Sequence, residues 1–497
     1  MTASDTSIII LAAGKGTRMR SSLAKVLHHA GGRTLIENVI GAAQGLKPAQ
    51  LLAIVGHQAD EVAAVVNALG AQTIVQQPQR GTGHAMQVAR RAIRKSAKLA
   101  IVVPGDAPLL RTETLSALLD THRRGEAAAT ILTAEIADPS GYGRTVRDSE
   151  GRVQSIVEDG KATPEQRAIN EVNSSIYCFT LAKLWPCLAA LRPNNMHREL
   201  YLTDAISMLR ERNERVLAYV AADANEVLGC NTRAHLADID RIFRARKTAV
   251  LMDSGVTIYL PETVIVDPEV TVGADTIIDP GVRLLGRTRI GGNCRIGAGS
   301  ILFDMRVDDG VTIFPSCNLA SSRVYARAQV GPFARMRPGA EIREGAHIGN
   351  FVEVKNSVIR EGAKAMHLTY LGDATVGREA NVGAGTITCN YDGVAKHHTE
   401  IGSRVFIGSD TALVAPVRVG DGAYVAAGSV ITENVPSDAL GIARGRQANK
   451  LGWARERRRE IASASKPKSR PGKRSRRRAA KSKRPSSKSR RAAKYRR

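Results

Sequence analysis

Aromatic residues make up only 4% of this 497-residue chain, with two Trp and seven Phe. Cores must therefore be built from aliphatic side chains, and the rows of stacking rings that bind single-stranded nucleic acid are not to be expected. Cysteine is sparse as well: Cys178, Cys187, Cys230, Cys294, Cys317 and Cys389 show no CxxC spacing. That argues against a disulfide framework and reads as isolated thiols in a reducing compartment. No apolar run reaches the roughly 20 residues of a membrane-spanning helix. The first seven residues lack a cationic-then-apolar leader, so a cytoplasmic location is expected. Acid is missing from one end alone. Residues 466–497 hold 17 Lys or Arg and no Asp or Glu; taking those 17 from the net +25 leaves +8 for the remainder. A mildly basic body suits an enzyme of phosphorylated substrates.

What is present divides the chain. At this length it should form two or three domains. Over 1–230, apolar strands (7–12, 50–55, 73–75, 99–103, 129–133) alternate with helical patterns (35–43, 60–69, 83–94). That alternation predicts an α/β domain with a mostly parallel, Rossmann-like mixed sheet. In such sheets ligands bind beyond the carboxyl ends of the strands. Residues 231–252 place Leu236, Ile239, Ile242 and Phe243 at helical spacing, predicting a linker helix. Over 253–453 the period becomes six, with aliphatic positions such as Val272, Ile278, Leu284, Ile290 and Ile296, then Val330, Met336, Ile342, Ile348 and Val354. An inward aliphatic every six residues with small residues at corners gives a three-faced coil, a parallel β-helix of hexapeptide repeats. The repeat is broken at 363–370 and 388–400, which are expected to be insertions carrying function. Residues 454–497 are expected to be a disordered basic tail.

The string Leu11-Ala12-Ala13-Gly14-Lys15-Gly16-Thr17-Arg18 follows the first strand. Gly14 and Gly16 allow the backbone to approach an anion, and Lys15, Arg18 and Lys25 supply neutralising cations. A P-loop would need GxxxxGK[ST], and a dinucleotide fingerprint a third Gly where Met19 stands. Asp106, at a strand end, is a hard oxygen ligand suited to Mg²⁺. The string is accompanied by Gln76, Gly81-Thr82-Gly83, Gly105-Asp106, Gly141-Tyr142-Gly143, Glu158, Asn173 and Gly229-Cys230-Asn231. Together these resemble the sugar-1-phosphate nucleotidyltransferases. With the repeats included, residues 8–453 resemble the bacterial bifunctional N-acetylglucosamine-1-phosphate uridyltransferase/glucosamine-1-phosphate N-acetyltransferases.

That resemblance implies a left-handed coil. It implies a site for UTP and UDP-N-acetylglucosamine comprising Leu11, Ala12, Gly14, Lys15, Gly16, Arg18, Lys25, Gln76, Gly81, Thr82, Gly141, Glu158, Asn173 and Asn231. Asp106 and Asn231 would hold Mg²⁺, Gln76 with the Gly81-Thr82 turn would read uracil, and Gly141, Glu158 and Asn173 would hold the sugar. Pro104 and Ser175 depart from the family pattern near the sugar pocket.

Acetyl transfer from a thioester to an amine needs a base, an oxyanion donor and cations for the sugar phosphate. Arg337 and Lys355 lie 18 residues apart, one turn of a six-residue coil. His367 has the side chain suited to the base, Glu353 is a candidate to orient it, and the resemblance makes His367 catalytic. It also implies Arg337, Lys355, Tyr370 and Asn381 around glucosamine 1-phosphate, and Asn390, Tyr391, Ser409, Ala427 and Arg444 around the co-substrate acetyl-CoA. Relatives complete this site across the subunits of a homotrimer. The implied function is acetylation of glucosamine 1-phosphate, then uridyl transfer from UTP to N-acetylglucosamine 1-phosphate with release of pyrophosphate. A nucleotidyltransferase with a non-acetylating solenoid needs neither His367 nor Asn390-Tyr391. A nucleic-acid-binding protein would not confine its charge to one tail. The tail itself is expected to bind nucleic acid or anionic surfaces non-specifically.

Overall fold

The computed structural model describes residues 3–193 and 199–465. They divide after residue 443 into two compact units. The first opens with an α/β module built on strands β1 (Ala3–Ala12), β2 (Pro48–Val55), β3 (Gln72–Val75), β4 (Leu99–Pro104), β5 (Ala129–Glu135), β6 (Glu171–Thr180) and β7 (Val216–Val220). Their order is β7-β5-β6-β4-β1-β2-β3. All neighbours are parallel except β6, which runs antiparallel to β4 and β5. The expected mixed sheet is therefore present, and its five predicted strands are found with boundaries moved by up to four residues. One apolar layer covers each face of the sheet, with Ile8 and Ile10 on one side and Ile9, Leu52 and Phe179 on the other. The alternation of those neighbours follows from the two-residue period of a strand.

Local signals position the helices. Thr34 caps the helix Leu35–Gly45 through a reciprocal bond with Glu37, and that helix buries Leu35, Ile36, Val39, Ile40 and Ala43. Both the capping box and the apolar spacing are helix-start signals. The expected linker is the 21-residue helix Arg233–Asp253, capped by Thr232.

Buried His122 bonds to the hydroxyls of Thr130 and Thr180, each at 3.0 Å. Burial, assisted by the charge of Arg123, lowers its pKa to about 4. The folded protein thus keeps this imidazole neutral where the unfolded chain, titrating near 6.5, already binds a proton. Its contribution to stability is complete above about pH 6.5 and is lost as pH falls towards 4, by up to about 3 kcal/mol. The urea midpoint of the α/β module should fall over that window, and His122→Gln should flatten the fall. An equally steep fall in the variant would assign the effect to other groups.

From Thr257 the chain winds into three parallel sheets of 11, 10 and 9 short strands, the faces of a left-handed β-helix. Face 1 begins at Thr257–Ile258, face 2 at Ile265–Val266 and face 3 at Thr271–Val272. The repeat aliphatics point inward: Ile278, Leu284, Ile296, Val330, Ile342, Ile348 and Val354 are fully buried. Buried hydroxyls finish the corners, as where Thr288 donates to Leu285 O and accepts from Met305 N. The coil also continues unbroken through 301–324, where Leu302, Val307, Ile313, Leu319 and Val324 are interior. Two five-residue steps there hide the period.

Two expectations are corrected. Residues 363–370 are no insertion: Lys364–His367 and Tyr370–Gly372 are in-register strands of faces 1 and 2. Of the expected 388–400 only residues 390–398 leave the coil, as a loop bridged between Tyr391 and Lys396, because Ile387–Cys389 and Thr399–Ile401 are strands of faces 2 and 3. The start of the basic tail is not structureless either. Trp453–Ala464 is a helix with no buried residue, formed of good helix formers with an Arg457–Glu460 pair. The remainder of the tail, 466–497, lies outside the described residues.

Candidate functional sites

The first site lies at the carboxyl edge of β1 and β4. β1 ends at Ala12, which places Leu11 and Ala12 under the loop 13–17. Gly16 has φ +61°, and a Cβ there would sit 2.6 Å from Lys25 Cβ. Glycine thus lets Lys25 pass beneath the loop. Its ammonium touches Asp106 Oδ2 and donates to Asn231 Oδ1 at 3.3 Å. Arg18 donates to the same Asn231 oxygen at 2.9 Å. Two loops far apart in sequence are pinned together here, since Cys230 N also donates to Asp106 O at 2.8 Å. The oxygens of Asp106 and Asn231 therefore already share one cation, a geometry that fits a divalent ion as well. Among the described residues no three His, Cys, Asp or Glu side chains converge. A metal here would draw its other ligands from substrate phosphates and water. Burial pushes the Cys230 thiol up to about 11, so the neighbouring sulfur stays protonated at neutral pH.

A cavity of about 1000 Å³ adjoins this cluster, lined by Gly14, Lys15, Gly16, Gln76 and Gly81 among others. Gln76 Nε2 donates to Gly81 O at 3.0 Å. Gly81, at φ +93°, admits no Cβ, which would meet Leu200 O at 2.6 Å. Thr82 Oγ1 accepts from Leu202 N at 3.0 Å. Glu158 and Asn173 meet at Gly143, where an added Cβ would lie 3.7 Å from Glu158 Oε2 and from Asn173 Cβ, while Gly141 has open space around it. Asn173 N donates to Gly143 O and its amide donates to Tyr177 OH at 2.9 Å. Burial raises the Glu158 pKa, with Asp204 assisting and Lys161 opposing. Ser175 takes φ +61° at a break in the β5–β6 register, the backbone form that makes Gly the easier residue. Pro104 ends β4 opposite Leu11, where a missing N–H costs the sheet little. Tyr142, whose pKa is raised by burial, is close to Gly229 and Asp106 and is a site neighbour to which the Gly141-Tyr142-Gly143 motif assigned no role.

The second site is on face 2 of the coil. Arg337 and Lys355 are direct partners in adjacent strands, one coil apart. Tyr370 lies on the next coil, and its hydroxyl covers Gly372, the register partner of Lys355. Lys355 reaches Asp373 at 3.6 Å. Despite burial, bonds from Asn356 and Asn390 and the Lys355 charge hold Asp373 below the usual carboxylate range. The 390–398 loop returns Lys396 to this cluster. Contact with Lys396 raises Lys355, and Lys396 is lowered by the same contact and by the charge of Lys355. Two crowded ammonium groups beside Arg337 are a ready counter-charge for a phosphate dianion. Lys396 was invisible to spacing arguments because it sits where the six-residue period is lost.

His367 ends a face 1 strand at the corner leading to face 2. Its Nδ1 lies 2.7 Å from Asn350 Oδ1. With that oxygen as acceptor, Nδ1 carries the proton and Nε2 is the basic atom. Glu353 does not orient it, contrary to expectation. It is held by Arg337 at 3.2 Å and Arg335 at 3.7 Å, because its strand points it at the neighbouring coil. The corner after His367 continues coil by coil: Gly385 N bonds Leu368 O, Asp410 N bonds Ala384 O, and Gly428 N bonds Ser409 O. Ser409 and Ala427 thus lie along the His367 edge, about 10 and 14 Å away at one strand spacing per coil. Asn381 is on face 1, one coil beyond Lys364. Asn390 and Tyr391 open the loop, and Arg444 begins the second compact unit.

Comparison with known proteins agrees with both halves. A family model for the MobA-like NTP transferase domain matches residues 8–193. A model for bacterial transferase hexapeptide repeats matches 269–304 and 398–433. Three similar proteins bear the name bifunctional protein GlmU. That of Koribacter versatilis is 49% identical over 91% of this chain and 97% of its own length. Those of Solibacter usitatus and Corynebacterium diphtheriae are 48% and 45% identical over 91% of this chain and 97% and 94% of theirs.

Proposed function

The chain belongs to the family of bifunctional GlmU proteins, and from that membership we infer how its two sites divide the work. The protein is a transferase with two activities, acetyl transfer and uridyl transfer, in UDP-N-acetylglucosamine synthesis. One observation carries the assignment of sites. The Lys25–Asp106–Asn231 cluster at the sheet edge and, on the coil, the face 2 cations with the His367 corner are separate centres with different chemistry. The assignments follow domain boundaries of 1–230 for uridyl transfer, 231–252 for the linker, 253–453 for acetyl transfer and 454–497 for the tail.

On face 2, Arg337, Lys355 and Lys396 take the phosphate of glucosamine 1-phosphate, with Tyr370 and Asn381 about the sugar. His367 Nε2 accepts a proton from the substrate ammonium. The freed amine attacks the thioester carbonyl of acetyl-CoA, held along the edge of Ser409, Ala427, Asn390, Tyr391 and Arg444. The attacking nitrogen gives up its second proton to water, the tetrahedral centre collapses to the amide, and the coenzyme A thiolate leaves and recovers the first proton from His367.

At the sheet edge, the 13–17 loop with Lys15, Arg18 and Lys25 holds the triphosphate of UTP. Gln76 and the Gly81-Thr82 turn face uracil, and Gly141, Glu158 and Asn173 hold the sugar. A phosphate oxygen of N-acetylglucosamine 1-phosphate attacks the α-phosphorus, and pyrophosphate leaves in line. Asp106 and Asn231 would hold Mg²⁺, which supplies charge neutralisation to the phosphates. The loop cations then carry the charge that develops on pyrophosphate.

Assembly as a homotrimer completes the reading. Phe333, Phe351 and Leu368, each at least half exposed, share one corner on successive coils, all at positive φ. The Phe333 and Phe351 rings stack at 5.3 Å. An apolar ridge of this kind calls for cover. Light scattering should give three times the chain mass; a fully acetylating monomer would contradict the trimer. No described helix is long and apolar enough to cross a membrane, and the cytoplasm is where UTP and acetyl-CoA are available. The tail, with 17 cations in 32 residues, should bind polyanions in a salt-dependent way. Deleting 466–497 should remove low-salt binding to DNA and acidic vesicles and leave both reactions near their full rates. Loss of either reaction would place the tail in an active site.

A further inference from the structure

We propose that the first coils of the β-helix carry a separate binding site for condensed phosphate, outside both catalytic centres. Arg289, Arg306 and Arg323 are direct register partners on three successive coils of face 3. Their Cα atoms therefore repeat at about 4.8 Å. Like charges stacked opposite one another destabilise a sheet, so such a row calls for a compensating anion. Arg323 has one: Asp308 at 3.0 Å, with Tyr325 packed on its guanidinium at 4.1 Å. Among the described residues Arg289 and Arg306 have no carboxylate partner within 4 Å.

The row borders a cavity of about 500 Å³ to which Arg287 also contributes. Two acids line it, and both are engaged. Asp304 accepts the backbone N–H of Arg287 at 2.8 Å, and Glu341 is held by Arg343 and by Tyr325 OH. Arg323 Nε is buried there without a partner. Among the described residues the guanidinium groups of Arg287, Arg289 and Arg306 have no carboxylate partner within 4 Å, and together with the orphaned Arg323 Nε they offer the cavity more donors than a single phosphate takes. They match a chain of two or three phosphates, whether free oligophosphate or the diphosphate of a nucleotide sugar. The cavity includes Gly339, two residues after Arg337. It lies on the same corner of the coil as the acetyltransferase cations but nearer the α/β module.

The test maps phenylglyoxal modification of each arginine by peptide mass on the full-length protein. One arm contains inorganic tripolyphosphate, another UDP-N-acetylglucosamine, and the control sodium chloride at equal ionic strength. Modification of Arg289 and Arg306 should slow about tenfold at ligand ten times above its Kd, while exposed Arg283 on face 2 should be unaffected. Protection in either ligand arm supports the site and identifies the phosphate source. Equal rates in all arms would overturn it. Arginines already unreactive in the salt control would also overturn it, because another copy of the chain would then cover them. In the variant R289Q/R306Q the neighbouring Arg287 should lose its protection by tripolyphosphate, while both transferase activities are kept. Those activities are measured in the same preparation, so failure of this site is distinguishable from failure of the catalytic assignments.

Discussion

Asp106→Ala should lower uridyl transfer on the order of 10³-fold or more and leave acetyl transfer close to its full rate. Metal-assisted neutralisation of a transferring phosphoryl group is worth several kcal/mol, and each 1.4 kcal/mol is about tenfold in rate. The carboxylate has a second role: it anchors Lys25, which also holds Asn231. Its loss releases a cation as well as a ligand, so added Mg²⁺ should restore little. Acetyl transfer is spared because its cations, Arg337, Lys355 and Lys396, belong to the coil. The check is Mg²⁺-dependent formation of UDP-N-acetylglucosamine by the purified variant. A rate equal to that of the unaltered protein would remove Asp106 from the metal site.

The converse result is expected for His367→Ala: acetyl transfer down about 10²–10⁴-fold, the range for a positioned base. Uridyl transfer should persist when N-acetylglucosamine 1-phosphate is supplied. Asn350 bonds His367 Nδ1 and leaves Nε2 as the acceptor, so the lost function is proton removal from the ammonium. Raising the pH deprotonates the substrate without help, and the deficit of the variant should shrink on the alkaline side. A deficit constant across pH 6–9 would mean that another group is the base.

Much of this was legible in the sequence because the signals were local. The glycines and cations of residues 14–18 follow a strand directly, and the inward aliphatics of the coil report its period. The pairing of Arg337 with Lys355 followed from spacing alone and is the observed register. Long-range or period-breaking features were not legible. Antiparallel β6 inserts between two strands that precede it in sequence. Two five-residue steps masked the coil over 301–324. Two further five-residue steps, Val354 to Ile359 and Leu371 to Val376, flank 363–370 and made it resemble an insertion. Glu353 was a plausible partner for His367 on charge, but strand direction gives it to Arg337 and leaves Asn350 at the histidine. The arginine row of face 3 becomes a row only when three coils are stacked.

One chain is expected to run two consecutive reactions at two sites. The direct measurement supplies the purified full-length protein with glucosamine 1-phosphate, acetyl-CoA, UTP and Mg²⁺, and follows coenzyme A, pyrophosphate and UDP-N-acetylglucosamine together. All three products should accumulate to equal final amounts, with coenzyme A release leading. Formation of the nucleotide sugar only when N-acetylglucosamine 1-phosphate is added, with no coenzyme A released, would contradict this expectation and leave the coil without a reaction.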